Sequence, residues 1–220
     1  MAHRPRKRGK MHHGKVVGGV EVNRAEATFL ERLRAGEDAA FEELVHRYAG
    51  PMLTAIRRLL GTADEAHDAL QDAFLSVFRG IGQFRGEASL STWLHRIALN
   101  SALARLRKRS RTRETPVEEL LPQYQPDGHR TAPDPAWREV AEEETLEVRE
   151  LVRKCVAQLP ENHRTILILR DFEGMDTAEV AAMLDITASA AKVRLHRARQ
   201  ALRTLLAPHF AAGPTETLVC

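Results

Sequence analysis

The chain has 220 residues, 43% hydrophobic, 29% charged and only 5% aromatic, with 13 glycines, 10 prolines and two cysteines. This composition fits a folded, well-solvated protein and excludes collagen-like, low-complexity and disulfide-scaffold classes. The net charge of +3 is modest, and no apolar run approaches the ~20 residues a transmembrane helix needs, so the distribution of charge carries more information than its total.

Residues 1–23 read as a disordered basic tail. Arg4, Arg6, Lys7, Arg8, Lys10 and Lys15 bring charge and little apolar surface to bury. Only the short stretch Val16 to Val20 follows, so no secretory leader is expected. His12-His13 is a weak metal candidate, because paired histidines in a tail usually hold nothing specific. A first block then covers 24–110. Within 38–60, Phe41, Leu44, Val45, Tyr48, Leu53, Ile56 and Leu60 form the inward face of a helix, and Gly50-Pro51 predicts a kink or a break.

Over 64–81, Ala66, Ala69, Leu70, Ala73, Phe74, Val77, Phe78 and Ile81 repeat at helical spacing. Asp64 is the candidate N-cap, and Gly80 or Gly82 ends the helix. A third helix spans about Trp93 to Arg109. No stretch alternates with period two between hairpin signals, so no sheet is expected.

Five of the ten prolines fall between Pro116 and Pro135, which marks residues 111–138 as a linker. Residues 114–150 carry eleven acidic and three basic residues, a net charge of −8. Acid-free basic runs flank this stretch. Arg105, Arg107, Lys108, Arg109, Arg111 and Arg113 precede it; Lys192, Arg194, Arg197, Arg199 and Arg203 follow. Such blocks separate polyanion-binding faces from segments that avoid a polyanion, and the acidic stretch is itself a candidate to fold back onto the basic faces.

The second block covers 139–207, with a short tail at 208–220. Pro160 opens a helix over about 160–172, which Gly174 stops. Asp176 and Glu179 form a capping-box-like start for a short helix over 177–184. Thr187 caps a helix over 188–206 whose inward residues include Ala191, Leu195, Ala198 and Leu202. A short helix, a tight turn and a longer basic helix make a helix-turn-helix pattern. Lys192, Arg194, His196, Arg197 and Arg199 stand on the longer helix, where arginines can reach base edges or phosphates in a major groove. An ordinary helical hairpin with a solvated basic face is the competing reading. The fold class expected is therefore all-α, two small helical domains joined by a flexible linker.

More specific motifs surround this pattern. They are Asp68-Ala69-Leu70-Gln71-Asp72-Ala73-Phe74-Leu75, Phe84-Arg85-Gly86-Glu87-Ala88-Ser89-Leu90-Ser91-Thr92-Trp93-Leu94-His95-Arg96-Ile97-Ala98, Leu159-Pro160-Glu161, and Lys192-Val193-Arg194-Leu195-His196-Arg197-Ala198-Arg199. Together they resemble conserved regions 2 and 4 of the extracytoplasmic-function (group 4) sigma factors of the bacterial sigma-70 family, over roughly 28–110 and 139–206. The large region 3 is missing, as in group 4.

The resemblance implies a transcription initiation factor that binds core RNA polymerase through the β′ clamp helices and the β subunit, and reads promoter DNA in two parts. Asp68, Gln71 and Asp72 would contact the polymerase. The 82–92 loop and the following helix would hold the melted −10 strand through Phe84, Arg85, Ser89, Trp93, Arg96, Asn100, Arg107 and Lys108. For Phe84 and Trp93 a core position is the alternative, and for Phe84 it is the better one. The recognition helix would read the −35 element through Lys192, Val193, His196 and Arg197, while Arg194 and Arg199 hold phosphates or neighbouring protein. Ser189-Ala190-Ala191 departs from the Gly-Thr-Val frequent in the family, and Asp185 stands where Gly is common. These departures bear on the promoter sequence and not on the fold.

The resemblance also implies an anti-sigma partner, with the factor in the cytoplasm or held by that partner at the inner membrane. No cofactor, metal site or enzyme activity is expected, because no phosphate loop, ligand cluster or nucleophile–base arrangement is present. Cys155 reads as a small core residue, Cys220 as a free terminal thiol, and both suit a reducing compartment.

Overall fold

The computed structural model describes residues 15–17, 20–22, 24–109, 116–122 and 146–210. The chain divides into two compact units, Met1–Lys108 and Arg109–Cys220. Eight α-helices build them, and the described residues are otherwise almost free of sheet.

One correction concerns sheet. Strands β1 (Lys15–Val17) and β2 (Val20–Val22) pair antiparallel, with Val16 opposite Glu21. The expectation of no sheet, and of disorder across the whole 1–23 segment, therefore fails for these six residues. The local chemistry accounts for it: β-branched valines flank Gly18-Gly19, the composition that two-residue hairpin loops favour.

The first unit begins with α1 (Arg24–Arg34), which the sequence reading did not single out as a helix. Phe29, Leu30 and Leu33 bury its inner face. Arg34 ties its end to the core by donating to the Phe84 carbonyl at 2.7 Å. Gly36, with φ of 78°, turns the chain into α2.

Helix α2 (Asp38–Leu59) runs through Pro51 as one helix, so of the expected kink or break the break does not occur. A proline inside a helix removes one hydrogen bond and costs about 3 kcal/mol. Burial on both sides of it holds the helix together: Ala40 and Leu44 before, Met52, Ala55, Ile56 and Leu59 after. The Thr54 hydroxyl also donates to the Gly50 carbonyl across the site.

Helix α3 (Ala63–Gly80) starts earlier than expected. Thr62, not Asp64, is its cap: the Thr62 hydroxyl accepts from the Glu65 amide and donates to the Glu65 carboxylate at 2.9 Å. Thr-x-x-Glu has the spacing of a capping box, and the Glu65 carboxylate holds the Thr62 hydroxyl in its capping position. Ala66, Ala69, Ala73 and Val77 bury a narrow stripe that lets neighbouring helices approach closely.

A 3₁₀ turn, Ile81–Gln83, leads to helix α4 (Leu90–Arg109). This helix begins three residues before the expected Trp93, because the Ser89 hydroxyl accepts from the Thr92 amide and supplies a cap. Leu90, Leu94, Ala98, Leu99, Ala102, Leu103 and Leu106 bury its inner face. Ser101 fastens it to α3 by donating to the Ala69 carbonyl at 2.6 Å.

The second unit contains a 3₁₀ turn, Val117–Leu120, and helices α5 (Leu146–Gln158), α6 (Glu161–Leu167), α7 (Thr177–Leu184) and α8 (Ala188–Phe210). The helix expected over 160–172 changes character midway: Ile168–Phe172 forms a π-helical turn, and Gly174 at φ 68° ends the segment. Helix α8 passes Pro208 and ends at Phe210, beyond the expected 206. Cys155 is buried, and burial raises its thiol pKa. The rest of the linker, 111–115 and 123–138, the start of the second block to 145, and Cys220 lie outside the described residues, as does the His12-His13 pair.

Candidate functional site

The α7–α8 corner is built by local chemistry. The Asp176 carboxylate accepts from the Glu179 amide at 2.8 Å and starts α7. Asp185 ends it in the left-handed region, at φ 54° and ψ 49°. Aspartate is one of the few side chains that occupy this region routinely. Thr187 then caps α8 by accepting from the Ala190 amide at 3.1 Å. The result is a short helix, a tight turn and a long helix, as the sequence predicts.

Ala191, Leu195, Ala198 and Ala201 face the core of the unit. Lys192, Val193, His196, Arg197 and Arg199 are exposed, and Arg194 is half-buried. Val193 is 51% exposed, an apolar surface among cations. Two of the cations already have carboxylate partners in the chain. Arg199 makes a bidentate pair with Asp171, at 2.9 Å from Nε and 2.6 Å from Nη2. Arg197 Nη1 lies 3.5 Å from Glu118 Oε1, on the 3₁₀ turn. Neither acid was singled out from the sequence, since pairing across 28 or more positions leaves no local signal.

In the first unit, Trp93, Arg96, Asn100 and Arg107 recur at helical spacing along one side of α4. Arg96, Asn100, Arg107 and Lys108 are exposed, as is Arg85 on the preceding loop. Phe84 is a core residue, 6% exposed. Trp93 is half-buried, its ring 5.1 Å from that of Phe84 and packed over Gly80, where a Cβ would meet it at 3.5 Å. Ser89 spends its hydroxyl on the α4 cap and on Ser91 and Thr92.

Asp68, Gln71 and Asp72 are exposed on α3. Arg105 of α4 bridges the two carboxylates, 3.1 Å from Asp68 and 2.7 Å from Asp72. These bonds, the one to Asp72 foremost, raise the Arg105 pKa. Beside this stripe lies a feature missed at the sequence level. Phe78, Leu75 and Val45 are 62%, 53% and 42% exposed, and they line an apolar groove between α2 and α3 with Phe41 and Phe74. Phe41 and Phe78 touch, ring centroids 5.0 Å apart. Helical spacing had placed Val45 and Phe78 inward; the alanine stripe of α3 takes the core positions and leaves the larger side chains outside.

Among the described residues no cluster of His, Cys, Asp and Glu could hold a metal, and no helix is long and apolar enough to cross a membrane.

Comparison with known proteins gives two family matches: "Sigma-70 region 2" over residues 44–112 and "Sigma-70, region 4" over 149–202. The chain is 34% identical to the ECF RNA polymerase sigma factor SigM of Mycobacterium tuberculosis, over 86% of this chain and 88% of the relative. It is 33% identical to the RNA polymerase sigma-H factor of Pseudomonas aeruginosa, over 81% and 92%. The sigma factor RpoE of Bartonella quintana, solved with the anti-sigma factor NepR, matches over 76% of this chain and 96% of its own, with a TM-score of 0.50 and 23% identity, a likeness of fold alone. A region 2 match followed by a region 4 match, with relatives at 33% and 34% identity over most of both chains, places the chain among the extracytoplasmic-function sigma factors of the bacterial sigma-70 family.

Proposed function

We propose that the chain is a promoter-specificity subunit that binds core RNA polymerase through its first unit, reads the −35 duplex with α8 and holds the melted −10 strand along α4. The observation that carries this reading is the capped α7–α8 corner, which presents Lys192, Val193, His196 and Arg197 together on the exposed side of one helix. A basic helix of this kind fits the major groove, where arginine can pair with guanine and an apolar side chain such as Val193 can meet a thymine methyl. On α4, the exposed Arg96, Asn100, Arg107 and Lys108 offer a track for single-stranded backbone, and half-buried Trp93 keeps part of its ring available for stacking. Phe84 supports Trp93 from beneath and does not reach the strand.

Polymerase docking would use the α2–α3 groove, where apolar area supplies affinity and Asp68, Gln71 and Asp72 supply charge for arginines on the partner. An anti-sigma protein covering these surfaces, a cytoplasmic location and the absence of enzyme activity complete the reading; binding energy alone does the work. Reconstitution with core polymerase and genomic DNA tests it: defined transcript start sites should appear only when the chain is added. In that assay Arg197→Ala should lower −35-dependent initiation by about 1–3 kcal/mol and relax base preference at one position. No core binding together with tight promoter binding by the chain alone would point to a stand-alone regulator instead.

A further inference from the structure

The turn at Val117–Leu120 belongs by sequence to the linker, yet it lies against α8. A single 3₁₀ turn has poor hydrogen-bond geometry and does not persist alone in water. Here it is ordered: the Glu119 amide donates to the Pro116 carbonyl and the Leu121 amide to the Glu118 carbonyl, both at 3.3 Å. Val117 is buried at 4% exposure between exposed Pro116 and Glu118. One apolar anchor and one ion pair, Glu118 with Arg197, fasten the turn to the helix.

We infer that this linker turn is an intrachain cover of the DNA-reading surface of α8, with the Glu118 carboxylate standing where Arg197 would meet DNA. The inference rests on the proposed reading of α8 as the −35 helix. An acid at this place repels backbone phosphate and occupies the guanidinium, so DNA and the docked turn compete. The competitor is one surface ion pair and the apolar side chains of a single 3₁₀ turn, with Val117 the buried one, so it can leave without unfolding any helix. Apparent affinity for DNA is then reduced by the fraction of molecules in which the turn is docked.

The test uses the full chain, a fluorescent mixed-sequence DNA duplex and hydrogen exchange of residues 116–121. Glu118→Gln should tighten duplex binding about two- to fivefold, the span of an exposed ion pair. Glu119→Gln removes the same charge from a neighbouring exposed position and should change it much less. Val117→Asp is decisive because it adds an acid. Coulomb repulsion alone predicts weaker binding, whereas release of the cover predicts tighter binding, by about tenfold. In wild type, adding duplex should speed exchange across 116–121.

Weaker or unchanged duplex binding by Val117→Asp, with its turn exchanging fast, would overturn the cover while leaving α8 as the DNA helix. Fast exchange of the turn in the wild-type protein alone would overturn it as well. Failure of every variant to bind duplex with the turn released would overturn the DNA reading of α8 itself.

Discussion

In the first unit Arg105 grips the acidic stripe of α3, and Arg105 belongs to a helix of the same bundle. In the second, Glu118 grips Arg197 of α8, and Glu118 belongs to a turn outside the helices. Both are contacts between charged groups near the surface, where a pair contributes about 0–1 kcal/mol. Their consequences differ because of where the second partner is anchored. Arg105 is held by the buried leucines of α4 and stays beside α3 whatever binds there. Glu118 sits on a single 3₁₀ turn with Val117 as its buried anchor, and on the proposed reading it can be displaced.

The surroundings differ too. The acids of α3 border an apolar groove with Leu75 and Phe78 exposed, the mixture a protein partner uses. The exposed side of α8 is cationic, with Val193 its one exposed large apolar side chain, the mixture a nucleic acid uses. On the proposed reading both faces are interfaces, and the apolar area beside the charge separates the kinds of partner they suit.

The largest effect should come from reversing the acids. Asp68→Arg with Asp72→Arg places three cations together with Arg105 and faces like charge to the partner, so core polymerase affinity should fall by several kcal/mol. Arg105→Ala is the control. It should lower stability by less than about 1 kcal/mol and leave polymerase affinity nearly unchanged, because the carboxylates remain. Loss of polymerase binding in Arg105→Ala would mean that the acids serve the bundle and not a partner.

Next in size is the α3 cap. Thr62→Ala should destabilise the first unit by about 1 kcal/mol, read from thermal unfolding, since the hydroxyl's bonds to the Glu65 amide and carboxylate are both lost. Asp64→Ala should cost much less, and equal costs would contradict the observed cap.

The Arg199–Asp171 pair asks whether α8 has a second clasp of the fixed kind. Both partners lie within the folded helical part of the second unit, so Arg199→Ala and Asp171→Ala should each destabilise it by about 0.5–1 kcal/mol, with coupling in the double variant. If Arg199 instead serves phosphate, its loss should flatten the salt dependence of duplex binding by about one unit while Asp171→Ala leaves the slope intact.

The smallest effect concerns His163. Burial, then Arg194 and Arg197, lower its pKa, and Glu118 works in the opposite direction. A lowered native value means the folded unit favours the neutral ring. That contribution is complete above the unfolded value of about 6.5 and is lost as pH falls through the native one. Glu118→Gln should lower the His163 pKa further, visible in its ring proton NMR titration. An upward shift would break the placement of Glu118 beside this cluster.

Local signals were legible in the chain itself. The helix-turn-helix corner was readable to the residue, because Asp176, Asp185 and Thr187 act on amides within a few positions. So was the core role of Cys155 and the preference of Phe84 for the interior. Order among competing local signals was not. Thr62 prevails over Asp64 because Glu65 answers it, and α2 continues through Pro51 because buried side chains on both sides outweigh one missing hydrogen bond. The outward turn of Phe78 and the pairings of Arg105, Arg197 and Arg199 were invisible, since each depends on which face a neighbouring helix covers. Spacing along a helix determines which residues share a face; only packing decides which face is buried, and only the closed fold brings Glu118 to Arg197, 79 positions away in sequence.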